Sequence, residues 1–255
     1  MLSLKILGSS SKGNCYILEN NDTKIMLDCG VDYQKILNNY KTDELDGIVI
    51  THYHQDHCKA IPKIKDYINC KVYSHDETLE ILPILESQKE EIKENQLFNI
   101  GSFSILPFLV EHDCKNFGYL IKDNISKHKL LYITDCGEIP NYQFKDIDTF
   151  LIESNYNEEW IKGKEELEIK EYRNMSGKGH LSIQQTVKFL QDNVNYNTKY
   201  VVLCHISNSC YNYEEMKDWV DGSIVDNNYG IKTYALDPKM IECQELILKE
   251  DINLW

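Results

Sequence analysis

The stretch Ile48-Val49-Ile50-Thr51-His52-Tyr53-His54-Gln55-Asp56-His57 decides how the rest of the chain is read. Three histidines and an aspartate fall within six residues, directly after an apolar β-type run. Residues two apart on an extended backbone point to the same side, so His52 and His54 can bind one ion while Tyr53 and Gln55 face away. Asp56 and His57 come where the chain must turn, so they point elsewhere and suit a second ion nearby. A polar loop with chance histidines is the plainer alternative, but the whole chain has eight histidines and three are here.

Length and composition bound the remainder. With 255 residues and 42% apolar content, one large α/β domain spanning residues 1–255 is expected. No apolar leader follows Met1 and no run of eighteen apolar residues occurs, which predicts a soluble, cytoplasmic chain without a membrane partner. Nine cysteines, an odd number with no C-x-x-C pair, argue against a disulfide framework or a zinc knuckle and suit reduced thiols packed as small hydrophobes. The net charge of −14 disfavours a nucleic-acid binder that relies on its overall field. Two divalent ions would reverse that sign locally. Arg173 is the only arginine, so bidentate phosphate clamps are nearly unavailable.

Strand ends repeatedly collect chemistry. Leu2–Leu7, Cys15–Leu18 and Lys24–Leu27 read as a meander, the third strand ending at Asp28 and the first leading into the turn formers Gly8–Asn14. That loop either lines a site with backbone N–H groups, Ser11 and Lys12, or is a plain hairpin connection. Val31–Tyr40 has helical spacing and Asp46–Ile50 is the strand that delivers the histidines. A short helix over Ala60–Ile68, a strand at Lys71–Tyr73 and a helix over Asp76–Leu85 follow, with His75 as a cap or surface residue. The charged run Glu86–Asn95 reads as a solvated loop or helix face. Phe103–Val110 runs into Glu111-His112-Asp113, making His112 the natural third ligand beside His52 and His54. Phe117–Ile121 and Lys129–Thr134 pair next, with His128 expected to face solvent and Asp135 closing the second strand. Cys136 is a competing ligand, but neighbours on an extended segment point opposite ways, which favours Asp135. Thr149–Ile152 ends on Glu153, Ser182 is an N-cap for a helix over Ile183–Gln191, and Lys199–Cys204 runs into His205. Asn157–Lys170 is helix-compatible, and Ile231–Ala235 and Met240–Leu248 read as closing strands.

The pattern His52-x-His54-x-Asp56-His57 after a buried strand resembles the metallo-β-lactamase superfamily. The resemblance implies a four-layer αβ/βα sandwich holding two metal ions. It makes Asp135 a carboxylate bridging the ions at roughly 3.5–4 Å, and Asp28 a residue that buttresses the histidine loop without touching metal. Glu153 is expected in the same supporting role. Gly8–Asn14, Leu151–Asn155, Gly179–Ser182 and Leu203–Ser207 are similar to the single-domain YycJ/WalJ group of exonuclease-like proteins, over about residues 1 to 235. The related ribonuclease J and β-CASP nucleases imply that His180 assists phosphate chemistry and that His205 completes the second metal. No insertion the size of a β-CASP domain separates Glu153 from His180. Ile206, where the group usually has leucine, and the altered Asn-rich stretch after Ser207 depart from the pattern.

The expected activity is therefore binuclear metal-dependent hydrolysis of a phosphodiester, with DNA as the substrate. Two Zn2+ or Mn2+ ions, Fe2+ being compatible, would be held by His52, His54, His112, Asp135, Asp56, His57 and His205. A hydroxide bridging the ions would attack phosphorus in line, with Asp56 at the nucleophile and His180 stabilising or protonating the leaving oxygen. Ser11, Lys12 and Lys178 would contact substrate. The same ligands serve a small-molecule hydrolase, such as a lactonase, thioesterase or cyclic phosphodiester esterase, which suits the acidic surface better. A redox di-iron protein of this fold typically has a glutamate where His54 stands, and a non-catalytic binding module has no use for a full two-ion ligand set.

Overall fold

Short Val-, Ile- and Leu-rich runs bounded by turn formers build the chain, because side chains of that shape pack well on a pleated surface. In the computed structural model the described residues are 1–140, 142–163, 179–207, 212–224, 230–240 and 242–250. One sheet contains β1 (Leu2–Gly8), β2 (Cys15–Glu19), β3 (Lys24–Leu27), β4 (Gly47–Val49), β5 (Lys71–Ser74), β6 (Lys89–Glu91) and β14 (Gln244–Lys249), in the order β14-β1-β2-β3-β4-β5-β6. The other contains β7 (Phe98–Ile100), β8 (Phe103–Val110), β9 (Asn116–Asp123), β10 (Lys129–Ile133), β11 (Thr149–Glu153), β12 (Tyr200–Cys204) and β13 (Lys232–Ala235), in the order β13-β12-β11-β10-β9-β8-β7. Both are mixed: β1, β2 and β3 pair antiparallel and β3 to β6 parallel, while β10 to β13 pair parallel and β7 pairs antiparallel with β8.

By contacts the chain divides into two units, one of Met1–Pro107, Lys122–His128 and Met240–Trp255, the other of Phe108–Ile121 and Lys129–Lys239. In the first, Ile17, Met26, Ile48 and Val72 of the strands pack with Ile36 of α1 (Tyr33–Asn39), Ile61 and Ile64 of α3 (Ile61–Ile64) and Leu79 of α4 (Asp76–Ile81). Between α1 and α3 lies α2, the single turn Gln55–Cys58. In the second unit, Ile133, Phe150, Ile152, Val201 and Leu203 pack with Ile183, Val187 and Leu190 of α6 (Ile183–Asn193) and Met216, Val220 and Ile224 of α7 (Tyr213–Ile224). The short α5 (Glu158–Lys162) precedes them. All five residues of β11 are buried, as in a strand covered on both faces. Each large aliphatic side chain so covered contributes roughly 1.5–3 kcal/mol.

Parallel register levels the strand ends. Leu27 pairs with Val49, so Asp28 and Thr51 leave the first sheet close together. Ile133 pairs with Ile152 and Glu153 with Cys204, which brings the segments after β10, β11 and β12 to one level in the second. The carboxyl ends of parallel strands are where sites on α/β sheets are built.

Several local expectations change. The charged run after Glu86 contains the edge strand β6, whose Glu90 and Glu91 are exposed while Lys89 is partly covered; charge on an edge blocks further pairing. His128 is 4% exposed instead of facing solvent, and it follows the turn in which Lys127 N–H bonds to the Asp123 carbonyl. His75 is indeed an N-cap, accepting from Thr78 N–H, but it is fully buried. Ser182 caps α6 in a reciprocal box with Gln185, as the sequence predicts. β7 and α7 are additional elements. Of the helix expected over Asn157–Lys170, Glu158–Lys162 is helical, and positions 164–178, with Arg173 and Lys178, lie outside the described residues.

Candidate active-site residues

In the first unit the histidine loop is organised by Asp28. This residue sits just past β3 in the left-handed region (φ 55°), with its side chain fully buried. Its carboxylate accepts from Thr51 N–H at 2.8 Å, from the Thr51 hydroxyl at 3.0 and 3.1 Å, and from His57 Nδ1 at 2.8 Å. Because the single Thr51 hydroxyl proton goes to Asp28, His52 Nδ1 at 3.0 Å must donate to Thr51 Oγ1. Asn14 Nδ2 lies 3.2 Å from His57 Nε2, and Asn14 N–H donates to the Asp56 carbonyl at 2.8 Å. Thus His52 and His57 both use Nδ1 as donor, which leaves Nε2 of the neutral ring with its lone pair. The rings of His52 and His54 have centroids 4.5 Å apart, those of His52 and His57 4.3 Å, and Asp56 Oδ2 lies 3.6 Å from His57 Nε2.

The loop leaves no room beneath it. A Cβ on Gly30 would lie 1.6 Å from the Asp56 carbonyl oxygen, while Gly30 N–H bonds to Asn14 O at 2.8 Å and Cys29 N–H to His57 O at 2.7 Å. The Gly8–Asn14 segment is therefore more than a hairpin connection, since Asn14 is hydrogen-bonded to the histidine loop. Ser11 and Lys12 on its tip are exposed, and the Lys12 carbonyl accepts from the Lys59 ammonium.

In the second unit the hub is Glu153, at the end of β11 and fully buried. Its Oε1 is 2.7 Å from His180 Nδ1 and 2.7 Å from His205 Nδ1; its Oε2 accepts from Cys136 N–H at 2.9 Å and Leu181 N–H at 3.2 Å. Burial opposes the ionised carboxylate, but the His180 charge and hydrogen bonds from both histidines hold its pKa below the ordinary value. For His180 burial works against the charged form and is outweighed by Glu153, so its pKa is raised. Asp135 and His205 both have φ 49°, and Asp135 Oδ1 is 3.0 Å from His205 Nδ1. Asn116 Nδ2 holds the Thr134 and Asp135 carbonyls at 3.0 and 2.8 Å, and Asn155 Nδ2 holds the His205 carbonyl at 2.8 Å. Donor atoms of Asp135, Glu153, His180 and His205 all lie within 4.8 Å of one another. His112 Nε2 is 3.3 Å from Asp113 Oδ1 and 3.9 Å from Asp135 Oδ2.

These donor sets suit a divalent transition metal. Neutral imidazoles whose Nδ1–H is tied to a carboxylate or hydroxyl, with carboxylates beside them, are the chemistry Zn2+, Mn2+ and Fe2+ accept. Cys136 is less suited: burial pushes its thiol pKa well up, and Sγ donates to the Glu138 carbonyl at 3.0 Å. Asn116 is marked by no sequence pattern, and Asn14, Thr51 and Asn155 lie within the quoted motifs without a role that the sequence assigns. Only their adjacency to strand ends could have suggested them.

Residues 23–206 match the family model described as Beta-lactamase superfamily domain. Exodeoxyribonuclease WalJ of Streptococcus pneumoniae is 27% identical over 219 residues, covering 79% of this chain and 80% of that protein. Exodeoxyribonuclease YycJ of Bacillus anthracis is 25% identical over 257 residues, covering 94% and 97%. The metallo-beta-lactamase fold protein YhfI of Bacillus subtilis superposes with a TM-score of 0.70 at 15% identity, over 96% of this chain and 98% of that one. The α/β fold expected from the histidine motif is therefore the fold the chain has. No helix among the described residues is long and apolar enough to cross a membrane.

Proposed function

Because the chain belongs to the β-lactamase superfamily, we propose that it is a metal-dependent phosphodiesterase that acts as a DNA exonuclease. The observation that carries this reading is the likeness to YycJ over nearly the full length of both chains, with every residue of the histidine motif present. The ligands would be His52, His54 and His112 for one ion and Asp56, His57 and His205 for a second, with Asp135 shared. Bound divalent ions supply Lewis acidity and water activated near neutral pH.

The chain's own residues would do the rest. Asp56 orients the attacking water and takes its proton. His180 would act as the imidazolium that Glu153 favours: Nδ1–H stays on the carboxylate while the Nε2 proton goes to the leaving oxygen, leaving the neutral ring, a role worth typically 10²–10⁴-fold. Glu153 would hold the Nδ1–H of both His180 and His205 and so orient the two rings. Ser11 and Lys12, exposed on their loop, would meet a phosphate backbone, and Lys178 would join them.

Assaying the purified chain with Mn2+ or Zn2+ against labelled single- and double-stranded DNA, RNA and a model lactone tests this. Cleavage of DNA is expected, with His180→Ala retaining metal and losing rate by 10²–10⁴. The net charge of −14 favours a second reading, a small-molecule hydrolase. Lactone hydrolysis with no cleavage of any nucleic acid would establish it.

A further inference from the structure

Beside Glu153 in the second unit lies a groove of about 780 Å³ to which neither metal ligation nor proton transfer assigns a role. One wall is formed by Glu138, Ile139, Pro140, Tyr142 and Gln143, the other by Leu181 with the side of α6 that carries Gln185, Lys188, Phe189, Asp192 and Asn193. The same carboxylate oxygen pins the start of each wall, Cys136 N–H at 2.9 Å and Leu181 N–H at 3.2 Å to Glu153 Oε2. Gln185 Nε2 then ties the walls together at the Gly137 carbonyl, 3.0 Å away. The groove is thus rigidly coupled to His180 and His205, which share the other oxygen of Glu153.

Its lining decides what it can take. Phe189 and Tyr142 contribute aromatic faces, and each packs on Phe144, with ring centroids 6.1 and 6.0 Å apart, which holds them in place. Gln143, exposed on the rim, brings an amide donor and acceptor, while the amides of Gln185 and Asn193 are engaged within the walls. The charges are Glu138 and Asp192 against Lys188, two carboxylates to one ammonium, so the groove repels a phosphate and tolerates a neutral group. A flat, uncharged ring with polar edges fits all three properties, and the volume is that of a small-molecule site.

We propose that this groove is a nucleobase subsite, which stacks the base of the nucleotide adjoining the cleaved phosphodiester on Phe189 and Tyr142. The inference rests on the phosphodiesterase reading and deepens it. A base can enter only when it is out of a duplex stack, so the groove selects single strands and frayed ends. It also supplies affinity that an acidic chain cannot obtain from phosphate contacts.

Two phosphodiesters separate the proposal from the reading beneath it: thymidine 5′-(p-nitrophenyl) phosphate, which has a base, and methyl p-nitrophenyl phosphate, which does not. The thymidine ester should have the higher kcat/KM, and Phe189→Leu, which keeps bulk but removes the aromatic face, should erode that preference on the order of tenfold, mainly through KM. Gln143→Trp, at an exposed position on the rim, should do the same by filling the groove. Saturation-transfer NMR with thymidine alone should show transfer to the base protons, weakened in both variants. Equal kcat/KM for the two esters, or no transfer from the protein to thymidine, would overturn the subsite and leave the phosphodiesterase intact. Hydrolysis of neither ester would overturn the phosphodiesterase, and thymidine binding sensitive to Phe189→Leu would still establish the groove.

Discussion

Glu153 Oε1 and His205 Nδ1 lie 2.7 Å apart at the ends of neighbouring parallel strands, and with Asp135 Oδ1 at 3.0 Å from the same nitrogen that contact places the proton of the histidine on Nδ1. Glu153→Gln keeps an acceptor for the Cys136 and Leu181 amides but removes the charge that the two imidazoles share. Loss of such a supporting carboxylate typically lowers metal affinity 10–100-fold. Chelator competition should show a loss in that range, with the fold retained by circular dichroism. An unchanged affinity would mean that Glu153 only braces the backbone.

Thr51→Val leaves the volume nearly constant and removes the hydroxyl between Asp28 and His52. A buried carboxylate losing one partner costs about 1–3 kcal/mol, and His52 loses the acceptor that orients it. Expected are a lower thermal midpoint and metal binding weakened roughly tenfold. Wild-type affinity in a destabilised variant would restrict Thr51 to folding.

Gly30 and Gly222 make opposite predictions for the same substitution. At Gly30 a methyl group meets the Asp56 carbonyl, and backbone must move, so Gly30→Ala should cost about 3 kcal/mol and roughly 6–12 °C in Tm. At Gly222, exposed in α7 with no atom near a new Cβ, alanine should gain up to about 1 kcal/mol of helix propensity. Differential scanning calorimetry of the two variants reads both signs.

The described cysteines separate by burial. Cys15, Cys29 and Cys136 are buried with thiol pKa values pushed up by desolvation, and Cys70, half-buried, is pushed up to about 11. Alkylation of the native protein at pH 7.5 should leave Cys15, Cys29 and Cys136, and the likewise buried Cys58 and Cys204, unmodified and metal content intact. At Cys70 the rate should rise about tenfold per pH unit up to its pKa, because the thiolate is the nucleophile. Metal release on alkylation would instead make Cys136 or Cys114 a ligand.

What the sequence determined by itself is the run Ile48–Val49 ending in His52, His54, Asp56 and His57, and the recurrence of His112, Asp135, Glu153 and His205 just after apolar strands. These are local patterns of period two and strand termination, legible because alternation and turn formers act over a few residues. The capping of α6 by Ser182 was legible for the same reason. Tertiary structure decided the rest. Asp28, Asp135 and His205 take left-handed backbone angles, which local preference opposes for non-glycine residues, and the hydrogen bonds of Thr51, His57, Asn116 and Asn155 hold them there. Asn14 reaches His57 across 43 positions and Glu153 reaches His205 across 52. No local periodicity encodes such pairs. Likewise β6 forms from a charged run because β5 offers it an edge, and His128 is buried although its turn is polar in sequence. Both depend on which partner the folded chain presents, and packing against that partner outweighs the polarity of the segment itself.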